Sequence, residues 1–446
     1  MKQAVYVIFI SLVLAGAVLA QANENNNALA IAGGRTFTAQ DLDPNVAELW
    51  TGLPKRLADA RTTLLDQQIE RKVMELEAAK KGISVTELID AEVTKKVKDP
   101  SDAEIQKVYD DNKADIGPVP FDEVKPQIVR FLRQNAEKDA YAKYAETVMT
   151  GYKIVKGKDI NAKDLKVSDP VAMIDATPII YAEYEKRNGL ILYELEANIT
   201  DEVIESLKQV VDAAVYTSEA QSLGITASQL LAREVTDKLK DYSDQELERL
   251  TNQLLDRLYA KYRVKYFLKE VPIYTQKVSA DDDPFTGRAN APVTVIMFTD
   301  FQCPGCAGVD PVLERVIKEF GDKVRFVVRD FPLTSIHDHA FAAAVAANAA
   351  RKQGKFFEYA ELLYNNQDSL DDASLKRYAA EAGLNVSKFE KDIKDPEISA
   401  EIQKDIDDGR SYGLTGTPGV FVNGYKVRTL SEPSFRKAIK RAAGLP

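Results

Sequence analysis

The chain has 446 residues and only two cysteines, which stand three apart in Phe301-Gln302-Cys303-Pro304-Gly305-Cys306. Random placement would give that spacing in under about 1% of cases, so it reads as selected. Two thiols one helical turn apart suit reversible disulfide exchange. If a helix begins at the first, its amide N–H groups and dipole hold that sulfur as a thiolate. The second can then attack a mixed disulfide and release the partner. The competing chemistry is half of a zinc site, with the only histidines, His337 and His339, completing the ligands. Their spacing is not a usual zinc pattern, so neither metal nor cofactor is expected. The pair reads more simply as a polar turn before a helix. Asp300 is either a proton shuttle or a turn residue.

These thiols need elements to position them. Residues 293–298, Val-Thr-Val-Ile-Met-Phe, read as a buried strand. Pro304 suits a first helical turn, and Val312, Leu313, Val316, Ile317 and Phe320 share one helix face before Gly321 ends it. Residues 324–331 form a second strand. The expectation is a βαβ unit with the cysteines at the first strand's carboxyl end. Downstream, Gly416-Thr417-Pro418-Gly419 offers a candidate cis peptide. Val420-Phe421-Val422 and Tyr425-Lys426-Val427 flank Asn423-Gly424, a hairpin signal. Ser431 precedes a last helix with Phe435, Ile439 and Ala442 on one face.

Residues 281–446 resemble a DsbA-like thioredoxin-fold domain. The resemblance rests on Ala291-Pro292-Val293-Thr294-Val295, Asp300 through Cys306, Arg329-Asp330-Phe331-Pro332-Leu333 and Gly416 through Val422. The 111 positions between Cys306 and Pro418 are similar to that family's helical insertion. The resemblance implies that Cys303 is the exposed nucleophile, Cys306 the more buried resolving thiol, and Pro418 the cis-proline facing them. Thr417 would bind an extended substrate peptide through its backbone. Two positions depart from the family pattern. Gly305 stands where a histidine is frequent, and Met297 where a buried carboxylate is frequent. Both departures imply a less stabilised thiolate and a weaker oxidant.

The first 280 residues contain a repeat. Residues 82–105 align without gaps to 224–247, an offset of 142, with twelve of 24 positions identical. Ser84/Glu87, Ser101/Glu104, Thr226/Gln229 and Ser243/Glu246 read as capping boxes. Leu88, Val93 and Val97, and their counterparts Leu230, Val235 and Leu239, have helical apolar spacing. A long helix with Leu64, Leu65, Ile69, Val73 and Leu76 on one face comes first, and another over 121–148 follows. The Gly33–Thr38 turn, the long helix to Gly82 and Phe121-Asp122-Glu123-Val124-Lys125-Pro126-Gln127-Ile128 resemble the chaperone part of SurA-like folding factors. No parvulin-type isomerase segment intervenes. That resemblance implies binding of unfolded clients. The alternative is a spacer or dimer arm, as in DsbC-like isomerases. Trp50 reads as core.

Net charge is −10 with no basic block, so nucleic acid is not an expected partner. Lys2 followed by an apolar run over 4–20 and Ala20-Gln21-Ala22 reads as an export signal over 1–22, with an uncleaved anchor as alternative. The expected architecture is therefore an α/β thioredoxin fold with a helical insertion, preceded by a mostly α-helical duplicated SurA-like region. Its repeats would span 27–160 and 168–280. The expected function is an exported thiol–disulfide oxidoreductase acting on cysteines of unfolded or folding clients, recharged by a membrane or soluble redox partner, with a homodimer as the alternative to a monomer. The alternative is a holdase or dimerisation scaffold with a secondary redox pair.

Overall fold

The computed structural model describes residues 27–445; the export-signal reading of residues 1–22 lies outside them. The first copy of the repeat supplies β1 (Ala30–Ala32), β2 (Arg35–Phe37), α1 (Pro44–Lys81), α2 (Val85–Glu92), α3 (Asp102–Asp111), α4 (Lys113–Ile116), α5 (Phe121–Met149) and β3 (Ile154–Lys156). The second supplies β4 (Pro170–Ile174), β5 (Thr177–Ile180), α6 (Tyr181–Ser222), α7 (Ala227–Glu234), α8 (Asp244–Lys261) and β6 (Lys265–Tyr266). Both ends of α2 and α7 keep the sequence offset of 142.

Local chemistry explains these boundaries. Ser84, Ser101 and Thr226 form reciprocal capping boxes with Glu87, Glu104 and Gln229. At Ser243 the box is half made. Its hydroxyl accepts the Glu246 N–H at 3.1 Å, but the Glu246 carboxylate turns to the amides of Lys240 and Asp241. The apolar spacing through Val93 and Val235 predicts longer helices than are found. Each helix stops before that valine, whose ψ near −70° leaves helical geometry, and a 3₁₀ turn follows. Both valines are still buried, so the spacing recorded burial rather than an unbroken helix.

The compact units cut across the predicted domains 27–160 and 168–280. One unit joins the chain up to Arg61 with Leu192–Pro272, and the other joins Thr62–Ile191 with the chain from Ile273 onward. The cause is an exchange of strands. The β1–β2 hairpin of the first copy is extended by β6 of the second, with Ala30 opposite Tyr266. The β4–β5 hairpin of the second copy is extended by β3 of the first, with Ala172 opposite Lys156. A hairpin edge must pair its N–H and C=O groups, and the repeat pattern does not say which copy supplies the partner. In the first unit, Val203, Leu207 and Val211 of α6 pack with Leu250, Leu254 and Leu258 of α8 and with Phe37; Trp50 lies half-buried against them.

Within the second unit, the C-terminal residues form a five-stranded sheet in the order β11-β10-β8-β9-β7. The strands are β7 (Phe285–Gly287), β8 (Val293–Thr299), β9 (Val324–Asp330), β10 (Gly419–Val422) and β11 (Tyr425–Lys426). Strands β8 and β9 are parallel and joined by α9 (Pro304–Phe320), whereas the other neighbours are antiparallel. Between β9 and β10 runs a helical insertion: α10 (Ala340–Arg351), α11 (Phe356–Asn365), α12 (Asp372–Glu381), α13 (Val386–Asp392) and α14 (Pro396–Ser411). Helix α15 (Glu432–Ala442) closes the chain, burying Phe435 and Ile439.

The polar, proline-ended stretch 279–284, prolonged by 287–292, reads in sequence as a linker, but part of it is docked. Residues 285–287 are the edge strand β7, and Asp283 is 2% exposed. The fully buried Arg329 accounts for this. Its Nε donates to Asp405 at 2.8 Å and lies 2.9 Å from Asp283, and its Nη2 donates to Asp408 at 2.8 Å. Buried charge is tolerated only when paired, so this guanidinium ties the lead-in and α14 to β9. Oxygens of Asp283, Glu401 and Asp405 lie within 4.8 Å of one another, and the cation bridging Asp283 and Asp405 is Arg329.

Candidate active site

Cys303 is the N-cap residue of α9, in extended conformation at φ −78°, ψ 118°, with Pro304 opening the helix. Proline fits there because the first amides of a helix have no internal acceptor. The Thr417–Pro418 peptide is cis. The Cys303 thiol donates to the Thr417 carbonyl at 3.7 Å. A Cβ added at Gly305 would lie 3.4 Å from Pro418 Cδ and 3.6 Å from Cys303 Sγ, so a side chain there would crowd both. Loop and helix end thus meet although 111 positions separate Cys306 from Pro418.

Both cysteines are free thiols. Cys303 is 8% exposed and Cys306 is fully buried. Cys303 is thus more covered than the expected exposed nucleophile, and only an edge of its side chain reaches solvent. The Cys303 thiol is pulled down to about 5, chiefly by a hydrogen bond from Cys306, then by Thr417 and the N–H groups of Cys306 and Gly305, against desolvation. Burial and the neighbouring Cys303 push Cys306 well up. Gly305 in place of histidine does not leave the thiolate without support. Amides and the partner thiol perform the stabilisation, and they need no charged side chain.

Asp300 proves to be a turn residue. Its carboxylate accepts the N–H of Gln302 at 2.7 Å and of Leu333 at 2.8 Å, and pairs with His337 Nδ1 at 2.7 Å. His337 is therefore a partner of the active-site turn rather than a free polar residue, while His339 caps the start of α10 without a side-chain bond. Gln367 donates to the carbonyls of Phe301 and Cys303, both at 2.9 Å, and fixes the turn from the insertion.

Two residues near Cys306 escaped the sequence reading. Thr299, 1% exposed at the end of β8, hydrogen bonds to Cys306, and its hydroxyl meets Tyr364 Oη at 2.6 Å. Thr299 was legible as the polar residue two places beyond Met297 on the same strand face. Tyr364 lies in the insertion, where nothing in the local pattern points to the cysteines.

A parallel βαβ unit opened by paired thiols, with a cis-proline loop against them, defines the C-terminal region as a thioredoxin-fold domain. Residues 279–441 match the thioredoxin family model. A five-helix insertion between β9 and β10 completes this domain. Curated relatives include the Na(+)/H(+) antiporter NhaA 1 of Mycolicibacterium vanbaalenii, 36% identical over 151 residues, which are 33% of this chain and 24% of that protein. The Na(+)/H(+) antiporter NhaA 3 of Salinispora tropica is 38% identical over 160 residues, 34% of this chain and 24% of that protein. The chain thus spans about a quarter of the length of the curated relatives it matches. Similar solved structures include a thioredoxin-like oxidoreductase from Silicibacter pomeroyi, at 27% identity and TM-score 0.35, covering 37% of this chain and 95% of that one. Oxidised BdbD from Bacillus subtilis aligns at 20% identity and TM-score 0.35, covering 39% of this chain and 100% of that one. Among the described residues, no helix is long and apolar enough to cross a membrane.

Proposed function

We propose that the protein is an exported thiol–disulfide oxidoreductase acting on cysteines of unfolded or folding client proteins. The carrying observation is the asymmetry of the pair: a Cys303 thiol drawn down to about 5 at the start of α9, with Cys306 sealed behind it. The Cys303 thiolate attacks a client disulfide, forming a mixed disulfide and expelling one client sulfur. Cys306 then attacks Cys303 Sγ, closing the internal disulfide and releasing the second client sulfur. Two electrons pass from the dithiol to the client. Run backwards, the same steps oxidise a client dithiol. The stabilised thiolate favours the reduced protein, which supports the oxidising direction. Thr417 and Pro418 line the sulfur and would hold an extended client segment. A redox protein of the exporting membrane, or a soluble one, restores the pair.

The helical region would hold the client. A Cys303→Ser, Cys306→Ser double variant separates the halves: suppression of client aggregation should persist while exchange is lost. Absence of exchange in the wild type overturns the proposal. A reduction potential for the Cys303–Cys306 pair as low as about −270 mV would overturn the oxidising direction.

A further inference from the structure

We propose that Gln367, in the turn that follows α11, is a positioning residue for the redox pair: its side-chain amide sets the angle at which the start of α9 presents its N–H groups to Cys303 Sγ. The inference rests on the redox reading of Cys303 and Cys306 and deepens it. A primary amide has two N–H donors. Gln367 spends both on the active-site turn, donating to the carbonyls of Phe301 and Cys303 at 2.9 Å each.

The peptide between Cys303 and Pro304 gives these bonds their consequence. Pro304 has no N–H, so this peptide plane can be held only through its carbonyl. From within the helix, the Cys303 carbonyl accepts the N–H groups of Cys306 at 3.0 Å and Ala307 at 3.2 Å. Gln367 ties it from outside. The orientation of that plane is the ψ angle of Cys303, which stands at 118°. On one side of this single torsion lies the Cα that carries the sulfur. On the other lie the Gly305 and Cys306 N–H groups that help to draw the thiol down. Rotation about it swings those donors away from Sγ without unfolding strand or helix. The second bond, to Phe301, fixes the approach to the turn, where the Cys303 N–H donates to the Asp300 carbonyl at 3.1 Å.

The charged groups at this turn have a different task. The Asp300 carboxylate accepts the N–H groups of Gln302 and Leu333 and pairs with His337, so it orients the residue before Cys303 rather than the peptide after it. Apolar packing anchors the insertion here. The Phe301 ring is 1% exposed, with its centroid 5.2 Å from that of Tyr364 and 6.3 Å from that of Phe356, both in α11. Leu363 and Leu370, on either side of Gln367 in the chain, are buried as well. These side chains hold the turn against the insertion, and the Gln367 amide orients its backbone.

The test uses the full chain and two readouts: the pH midpoint of Cys303 alkylation by iodoacetamide, and the ratio of reduced to oxidised protein in glutathione buffers. Gln367→Met keeps the length and loses both donors. It should raise the midpoint from about 5 to about 6, a tenfold loss of thiolate stabilisation. A less stabilised thiolate favours the disulfide, so the reduced-to-oxidised ratio should fall about tenfold, or about 30 mV. Gln367→Glu has the same size but turns acceptors toward the two carbonyls, and should shift both readouts the same way. Leu370→Ala loosens the same turn by removing apolar volume; it should lower stability and leave both readouts at their wild-type values. In the wild type, the Gln367 side-chain N–H protons should exchange slowly with solvent by nuclear magnetic resonance. Wild-type midpoint and ratio in Gln367→Met overturn the positioning role, as does an equal shift in Leu370→Ala, which would mark the effect as general loosening of the insertion. Should Gln367→Met fail to fold, fast exchange of those amide protons in the reduced wild type overturns the role directly. A wild type that never exchanges with glutathione overturns the redox reading itself.

Discussion

The thioredoxin-fold domain and the duplicated helical region carry their identities in opposite ways. In the first, a few atoms at one helix start define the chemistry: Cys303 Sγ, the N–H groups that face it and the Thr417–Pro418 loop. In the second, identity is spread over caps and over apolar side chains such as Val203, Leu207 and Val211, all fully buried. Point chemistry survives surrounding change and fails at one substitution. Distributed packing tolerates single losses in proportion to the volume removed.

The largest effect should come from breaking the concentrated side. Cys303→Ser should reduce disulfide exchange to the buffer rate, measured with oxidised glutathione or a denatured disulfide-bonded client, while the urea midpoint of the helical region stays put. Retained exchange would place the nucleophile elsewhere, and Cys306 is the only other sulfur of its kind. A second test is the pH profile of iodoacetamide reaction. Cys303 should titrate near pH 5, because its thiol is drawn down to about 5. Cys306 should stay unreactive throughout. A midpoint near the ordinary cysteine value of about 8.5 would show that the amides at the start of α9 do not hold the thiolate.

The distributed side is tested by volume. Leu254 of α8 is 2% exposed in the first unit's core. Leu254→Ala should cost about 2–5 kcal/mol of that unit's stability. Trp50, the only tryptophan, packs against this core and reports its unfolding by fluorescence. Exchange with a small disulfide should be unchanged. A fall in exchange equal to that of a cysteine variant would erase the contrast between the two regions.

What could be read in advance follows the same division. Spacing, Pro304 and the Asn423-Gly424 turn all act within a few residues, so the helix start and the hairpin were legible. The approach of Thr417 to Cys303 was legible only through resemblance, since no local rule joins them. Tyr364 and Gln367 reach the turn from the insertion, and His337 reaches Asp300 across 37 positions; such contacts depend on packing that a linear pattern does not record. The docking of Asp283 was misread for a related reason. A charged stretch normally stays in water, and only the buried Arg329 reverses that preference. In the helical region the repeat was plain because caps are local, whereas the strand exchange was not, because both copies carry equivalent strands.

The buried acids beside Arg329 sharpen the comparison through pH. Burial first, then the charge of Asp405, pushes Asp283 and Asp330 up to about 8. Their folded pKa lies above the unfolded one, so the folded domain keeps protons that the unfolded chain releases near pH 4. Stability is therefore greatest in mild acid and falls as pH rises toward 8, by at most about 1.4 kcal/mol per pH unit for each group. The oxidised protein should be used. In the reduced protein, Cys303 has a depressed pKa and adds stability as pH rises, which opposes the trend. Urea unfolding followed by circular dichroism between pH 5 and 8 should show the fall, and Asp283→Asn should reduce its slope. A flat profile would mean that Arg329 fully compensates both acids.

The smallest effect distinguishes the two copies of the repeat from each other. Glu87 caps its own helix, accepting the Ser84 N–H at 2.8 Å on an exposed surface. Its counterpart by alignment is Gln229; Glu246, the partner of Ser243, instead holds the amides of Lys240 at 2.6 Å and Asp241 at 2.9 Å and is 8% exposed. A buried carboxylate serving two amides is harder to replace than an exposed cap, because water cannot take over the donors. Glu246→Gln should lower the unfolding free energy reported by Trp50 by about 1 kcal/mol, the loss of charge assistance in a retained hydrogen bond. Ser84→Ala removes a cap worth about 1 kcal/mol, but Ser84 lies in the second unit, so Trp50 should not register it. Equal shifts from both variants would show that the two units unfold as one and that strand exchange couples the copies into a single cooperative body.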